Sequence, residues 1–466
     1  MNLRVLRIEL RRSVAPWAGV VVLVPALAFL YLLDAAWWRD TTAWTAQWTP
    51  MAMWTRSLLF YLWPLAVGLG ALQGLRDHRS NMGELLTSTP RPARQRAAAP
   101  AGATALTLAT AFGLLVLVGG VQVLGNTAYT HLGWLPISLV GAFFLVAGAL
   151  LGMGAGRALP SALTPPALAM TAFVFTALMH MSLGRTETVS ADGFPGTEPN
   201  RLSLLSPTVE EVRDALLTLS PSVHLGQTVW LLGMAATGFA LLVAATPRTR
   251  LAALAPLLAG AVAALLVLPS DPRRMYVVDE AAAQPVCDGP VCVTRTQEAR
   301  LADVAGPGKE ALRLLRAALG GQAPVSVRED AAVLPQGATP RWSRETVLFD
   351  FDEDVVAAAA AQGDDGELTR ALVAQALAPA CTPAGWSGTT DAPAQVVAVA
   401  WVTGVLAPLD GTGYSAAEQL DEARPVWKEF KALPRDEQRS RIDAMRGAAL
   451  SCEGEPFAAL KGGGSR

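Results

Sequence analysis

Seven stretches of about 20 mainly apolar residues occupy positions 14–33, 57–75, 101–124, 134–156, 161–183, 227–245 and 251–269, and they limit the fold more than any other feature. A run of that length has no partner for its backbone in hydrocarbon except itself, so each reads as a membrane-crossing helix. The whole chain is 52% hydrophobic and only 16% charged, against about 25% charged in an average soluble protein. Residues 270–466 contain no such run and are long enough to bury a core of their own. The expected fold class is therefore a mostly α, polytopic membrane protein with about seven transmembrane helices, followed by an α+β domain.

Charge divides the chain at the same place. Residues 1–270 hold 17 Arg, no Lys and 11 Asp+Glu, a net +6; the remainder holds 20 Lys+Arg and 28 Asp+Glu, a net −8. The arginines of the apolar half are clustered between its apolar runs, which speaks for orientation in a bilayer rather than for nucleic-acid binding. Arg4, Arg7, Arg11 and Arg12 precede the first span. Arg76, Arg79, Arg91, Arg94 and Arg96 lie between the second and third, Arg157 between the fourth and fifth, and Arg248 and Arg250 between the sixth and seventh. These are alternate connections, so the positive-inside rule puts them and the N-terminus in the cytoplasm of a multi-pass cell-membrane protein. Seven spans then carry residues 270–466 outside. The first run reads as a retained helix, since its core is too long for a signal peptide and no A-x-A site closely follows it.

Cysteine usage gives the same side. Cys287, Cys292, Cys381 and Cys452 all follow the last span, as expected of a domain in an oxidising compartment. Cys287 and Cys292 bracket Asp288-Gly-Pro-Val, a turn suited to a local bridge that would leave Cys381 and Cys452 to pair. Four cysteines allow three connectivities, between which the sequence does not choose.

Three further stretches stand out. Residues 1–12 place Leu3, Leu6 and Leu10 at helical spacing with Arg on the remaining face, a pattern for an amphipathic interfacial helix. Residues 34–56 hold Trp37, Trp38, Trp44, Trp48 and Trp54, which predicts an interfacial belt or a short lipid-lying helix. In the connection 76–99, Asn81 and Glu84 form a candidate capping box, Met82, Leu85 and Leu86 an apolar face, and Pro90 and Pro92 a stop. That is a short surface helix built to dock something.

The segment Glu84-Leu-Leu-Thr-Ser-Thr-Pro-Arg-Pro-Ala-Arg-Gln-Arg96 resembles the coupling region of type-two ABC exporter permeases. The resemblance covers about residues 1–246: an interfacial helix, a coupling helix between helices two and three, and an external segment with short helices between five and six, here 184–226 with a helix expected over 207–219. It implies a six-helix permease core over 13–246, with Glu84, Leu85, Leu86, Arg91, Arg94 and Arg96 facing a cytoplasmic ATPase. It also implies a second permease subunit in a homo- or heterodimer. The seventh helix (247–269) and the domain 270–466 are additions to that pattern.

No G-x-x-x-x-G-K-[ST] loop is present, so ATP hydrolysis belongs to a separate ABC ATPase subunit and this chain is expected to be no enzyme and to need no cofactor. Intramembrane charges are nearly absent, which disfavours an ion-coupled carrier. Met179-His-Met181 offers soft ligands, but adjacent helical residues diverge by about 100°.

In the C-terminal domain the expectations are a helix beginning past Gly306-Pro-Gly308 and including 311–319, strands at 325–327 and 346–351, helices at 368–377 and 394–406, and a helical stretch over 415–447 broken at Pro425 and Pro434. The acidic run 350–354 lacks ordered calcium-loop spacing and reads as a solvated turn. The order of helix 368–377, Cys381, Gly385-Trp386 and a second helix resembles gluzincin metallopeptidases, whose zinc needs an H-E-x-x-H pair. Residues 270–466 contain no His, so zinc-peptidase, Ser-His-Asp and Cys-His chemistry are all excluded. The reading from another class is a non-transporting scaffold or receptor that displays this domain.

Overall fold

The computed structural model describes residues 15–38, 42–79, 92–189, 195–208, 215–334, 337–352, 354–384 and 391–462. These form two compact units, whose main division falls between Val278 and Asp279, with Thr127–Tyr129 and Val189 grouped with the second.

The first unit is a helical bundle. Its elements are α1 (Ala15–Leu32), α2 (Trp48–Ser57), α3 (Leu59–Gly74), α4 (Ala93–Asn126), α5 (Trp134–Ala158), α6 (Thr164–Met181), α7 (Pro221–Val243), α8 (Pro247–Ala252) and α9 (Ala255–Val267). All seven apolar runs are helical. Five helices among the described residues have the length and apolarity to cross a membrane, and α2 with α3 makes a sixth as a pair bent by 49°. The remaining run, α1, is a shorter apolar helix.

α5 lies at the centre, packed along α3 on one side and α7 on the other; α6 leans on α3, α9 on α7, and α1 on α4. The α3–α5 contact is backbone against backbone. A Cβ on Gly70 would collide with the Ala149 carbonyl, and one on Gly152 with the Val67 carbonyl. Small residues are what permit such approach between apolar helices, where dispersion takes the place of a hydrophobic driving force. The expected hairpin between the last two spans is present: Pro247 is the first residue of α8, and Thr246 and Thr249 complete a reciprocal cap there.

The bend between α2 and α3 has a local cause. Thr55 Oγ1 donates to the Met51 and Ala52 carbonyls at 3.0 Å, and Ser57 Oγ to Met53 at 3.1 Å. Hydroxyls that bond back to the preceding turn loosen the helical ladder just before the break at Leu58.

Outside the helices the first unit holds two small sheets. β1 (Arg185–Val189) pairs with β2 (Pro195–Pro199), and β3 (Leu217–Leu219) runs antiparallel to β4 (Tyr276–Val278). The helix expected over 207–219 is thus corrected at its end: 217–219 is a strand, because Tyr276–Val278, more than 50 residues away, supplies its hydrogen bonds. Residues 209–214 lie outside the described residues.

The second unit is built on a four-stranded sheet, β5 (Pro285–Asp288), β6 (Val291–Thr294), β7 (Ser326–Glu329) and β8 (Thr346–Phe349), in that spatial order. β5–β6 is an antiparallel hairpin; β6–β7 and β7–β8 are parallel. Packed with it are α10 (Leu301–Leu319), α11 (Asp354–Gln362), α12 (Asp365–Leu377), α13 (Ala392–Thr403), α14 (Ala416–Phe430), α15 (Arg435–Ser451) and α16 (Pro456–Leu460). Val291, Val327 and Val347 from the sheet meet Val304 and Leu315 of α10 and Leu372 of α12 in one core.

Two proline expectations are corrected. α10 starts at Leu301 and continues through Gly306-Pro307-Gly308. Pro307 and Gly308 are buried there, and a Cβ on Gly308 would stand 2.7 Å from Val291 Cγ2, so the glycine lets the helix lie close on β6. Burial of one face outweighs the hydrogen bond lost at proline. Likewise Pro425 sits inside α14, and only Pro434 marks a boundary, at the N-cap of α15.

Candidate functional site

The described arginines of the alternate connections gather at one end of the bundle. Gly74, at the end of α3, abuts Met153 and the Arg157 amide of α5. Ala97 and Ala101 of α4 pack with Met153 of α5 and Leu242 of α7. Arg250 Nη1 donates to the Ala158 carbonyl at 2.9 Å. Arg76, Arg94, Arg96, Arg157, Arg248 and Arg250 therefore share that end.

Of the residues expected to dock an ATPase, Glu84, Leu85, Leu86 and Arg91 lie outside the described residues, as does the amphipathic stretch 1–12. Arg94 and Arg96 are described, and their setting differs from expectation. They do not lie in a loop: α4 begins at Ala93, eight residues before the expected span, and runs for 34 residues. At 1.5 Å per residue that is about 51 Å, well beyond the roughly 30 Å of a hydrocarbon core. Arg76–Arg79 forms one further helical turn after α3. The basic connection is thus bounded by helix on both sides.

The opposite end holds the tryptophans, and the interfacial setting expected for all five differs for two of them, Trp44 and Trp48. Trp44 is fully buried and Trp48 nearly so, in the main core of the bundle. Trp48 stacks on Trp134 with ring centroids 5.2 Å apart. The Trp37 and Trp38 indoles both donate to the Leu30 carbonyl, at 3.2 and 2.7 Å, and so cap the end of α1. Trp54 Nε1 donates to the Thr42 carbonyl at 2.8 Å. The indole N–H groups of Trp37, Trp38 and Trp54 bind protein backbone, which fixes the segment to the bundle.

At this end the structure also places a residue that sequence reasoning left in a loop. Arg56 is 0% exposed, on α2 just before the bend. Its Nη2 donates to Gln227 Oε1 at 2.6 Å and its Nε to the Pro207 carbonyl at 3.2 Å. The guanidinium carbon lies 5.5 Å from the Phe144 ring centroid. Nη1 is buried and finds no partner in the protein, and no carboxylate among the described residues pairs with the group. Gln227 is held in turn, its Nε2 donating to the Leu204 carbonyl at 2.9 Å. Arg56, Gln227, Ser203, Thr208 and Tyr276 line a cavity of about 10 Å³, the room of about one water molecule. The signal for this residue was present in the sequence: a lone Arg abutting an apolar run, far from the arginines that mark the other end.

His180 has neighbours that part as its helix requires, Met179 being buried and Met181 74% exposed. The His180 ring meets Phe60 edge-on at 5.9 Å. Among the described residues no three His, Cys, Asp or Glu side chains are grouped to hold a metal ion.

In the second unit all four cysteines are bridged, Cys287 to Cys292 and Cys381 to Cys452. The first bridge crosses the β5–β6 hairpin, whose turn uses Gly289 at φ 64°. The ends of the parallel strands collect charge. Glu329, at the end of β7, accepts from the Thr294 amide at 2.5 Å. Burial pushes its carboxyl up to about 7, with the Thr294 hydrogen bonds and Arg300 opposing. Arg300 stacks 3.8 Å over the Phe351 ring. Asp350 accepts from the Asp352 amide at 2.9 Å, the solvated acidic turn that the sequence suggested.

No family model, no curated protein and no solved structure matches the chain. The geometry defines the class: a helical protein with helices fit to cross a membrane, joined to a disulfide-bonded polar unit. Anything narrower rests on the residues themselves.

Proposed function

We propose that the chain is the membrane-spanning permease subunit of an ATP-driven exporter, coupling a separate cytoplasmic ATPase to transport. The observation that carries this reading is the collection of the connecting arginines at one end of the bundle, around a basic connection bounded by helix on both sides. In this reading that end faces the cytoplasm by the positive-inside rule. Residues 80–96 dock an ATPase, through Glu84, Leu85, Leu86, Arg91, Arg94 and Arg96.

The over-long α4 suits such coupling. A rigid helix that continues past the hydrocarbon transmits a displacement of its polar end into the bundle without a flexible joint. Two copies, or this chain and a related one, complete the transporter. The polypeptide leaves the bundle at Val278, at the end opposite the arginines. The second unit is accordingly extracytoplasmic, where its cystines persist.

The test is to co-purify the full chain from its native membrane with candidate ATPase subunits and measure nucleotide-dependent ATPase activity. Association is expected, with stimulation lost in Glu84→Ala and Leu85→Ala while the chain still inserts. If no ATPase accompanies the chain, the exporter reading fails, and a scaffold that displays the second unit takes its place.

A further inference from the structure

We infer that Arg56 forms a binding site for a single monatomic anion of the chloride class, at the end of the bundle opposite the connecting arginines. The inference does not depend on the exporter reading. It rests on an imbalance of charge and of hydrogen bonds. A guanidinium that is 0% exposed has lost its hydration, which costs several kcal/mol unless a counter-charge is near. Its partners here are two neutral oxygens, Gln227 Oε1 and the Pro207 carbonyl, and a ring face. No carboxylate among the described residues supplies the missing negative charge.

The unused donor belongs to a side chain that lines a cavity. Nη1 carries two N–H bonds without a protein partner, and Arg56 lines a cavity of about 10 Å³. Thr208 lines the same cavity. Its amide donates to Ser206 Oγ, and the two hydroxyls lie 2.9 Å apart. When Ser206 donates across that contact, the Thr208 O–H is left without an acceptor in that pair, and it is the second donor available to a cavity that Thr208 lines. A cation with a spare N–H pair, and a hydroxyl beside it, is a set for an anion. The volume is a size filter: it leaves room for about one small sphere and none for sulfate, phosphate or an organic carboxylate.

The structural consequence is local. Arg56 stands on α2 at the bend, Pro207 in the segment between β2 and β3, and Gln227 on α7. An anion at Nη1 neutralises the charge at the joint of these three pieces and stiffens it.

The experiment uses the full chain in lipid nanodiscs. Thermal unfolding is compared in sodium chloride, bromide, gluconate, sulfate and formate at one ionic strength. Chloride and bromide are expected to raise the midpoint over gluconate by about 2–4 °C at tenfold excess over Kd, saturably. Arg56→Gln abolishes the shift. Thr208→Val, which keeps the charge, weakens it by moving saturation to higher halide. A bromide anomalous peak within contact of Arg56 Nη1 is expected in wild-type crystals. Equal midpoints in all salts, full halide response in Arg56→Gln, or a plain water at Nη1 with no anomalous peak would each overturn the site. Sulfate or formate matching chloride would overturn the monatomic assignment.

Discussion

Among the described residues each unit buries one arginine almost completely, and the two are satisfied in different ways. Arg446 of the second unit, 1% exposed, spends every guanidinium nitrogen on a carbonyl: Nε on Ala376 at 3.2 Å, Nη1 on Gln322 at 2.7 Å and Nη2 on Arg344 at 2.8 Å. Arg56 of the bundle spends two and keeps Nη1 unpartnered beside a cavity. Neither forms an ion pair with a carboxylate among the described residues. Arg446 ties α15 to the end of α12 and to the segments of Gln322 and Arg344, because carbonyl dipoles can solvate a cation when each of its nitrogens reaches one. Arg56 is an incomplete tie, and completeness is what separates a structural cation from one that invites a ligand.

The comparison breaks most sharply under paired substitution. Arg446→Met strands three carbonyls in a core and is expected to cost about 5 kcal/mol of second-unit stability. Arg56→Met loses two hydrogen bonds but also removes an uncompensated charge, so its cost in gluconate buffer is expected near 1 kcal/mol. Denaturant titration of the full chain, with hydrogen exchange read separately over the two units, measures both. Equal losses would show that the two arginines are alike after all.

Next in size is the Cys381–Cys452 bridge, which lies on the same α12–α15 seam as Arg446. It closes a separation of 71 residues, so its removal by paired Cys→Ser substitution is expected to cost about 4 kcal/mol. Cys452 also holds φ 55° at the end of α15, a left-handed conformation that costs a non-glycine residue roughly 1–2 kcal/mol. Protection of the α12 amides from exchange should fall together with that of α15; if α12 stays protected, Arg446 alone holds the seam.

The third expectation concerns Glu329, the second unit's other buried charge-bearing group. Its folded pKa is raised, so burial of the neutral acid is free of penalty at low pH. Stability then declines as pH rises from the unfolded value of 4.5 to the folded value of about 7. The decline should reach about 3 kcal/mol at most, and Glu329→Gln should flatten it. An unfolding midpoint of the second unit that instead rises over that window would contradict the assignment.

Legibility in the sequence followed how local each property is. All seven apolar runs became helices, since hydropathy is a sum over neighbours and needs no partner. The capped hairpin turn at Thr246-Pro247 was readable for the same reason. Strand β3 was not, because its hydrogen bonds go to Tyr276–Val278. Pro307 and Pro425 were misread as breaks, because the gain that carries a helix past proline comes from a face buried elsewhere. The tryptophans of 37–54 have the composition of a lipid interface, and only packing turned Trp44 and Trp48 inward. Arg56 had a trace in the sequence, but its burial depends on Gln227, 171 residues away.

By itself, then, the sequence determined that the chain is a bundle of apolar helices joined to a polar unit that holds every cysteine, with arginines in alternate connections. These follow from composition and order along the chain. The tertiary structure alone decided which cysteines pair, that the connecting arginines share one end, and that one arginine of the bundle is enclosed with a donor to spare. Each of those depends on contacts between residues far apart in the chain, and a pattern of neighbours carries no information about which distant atoms will meet.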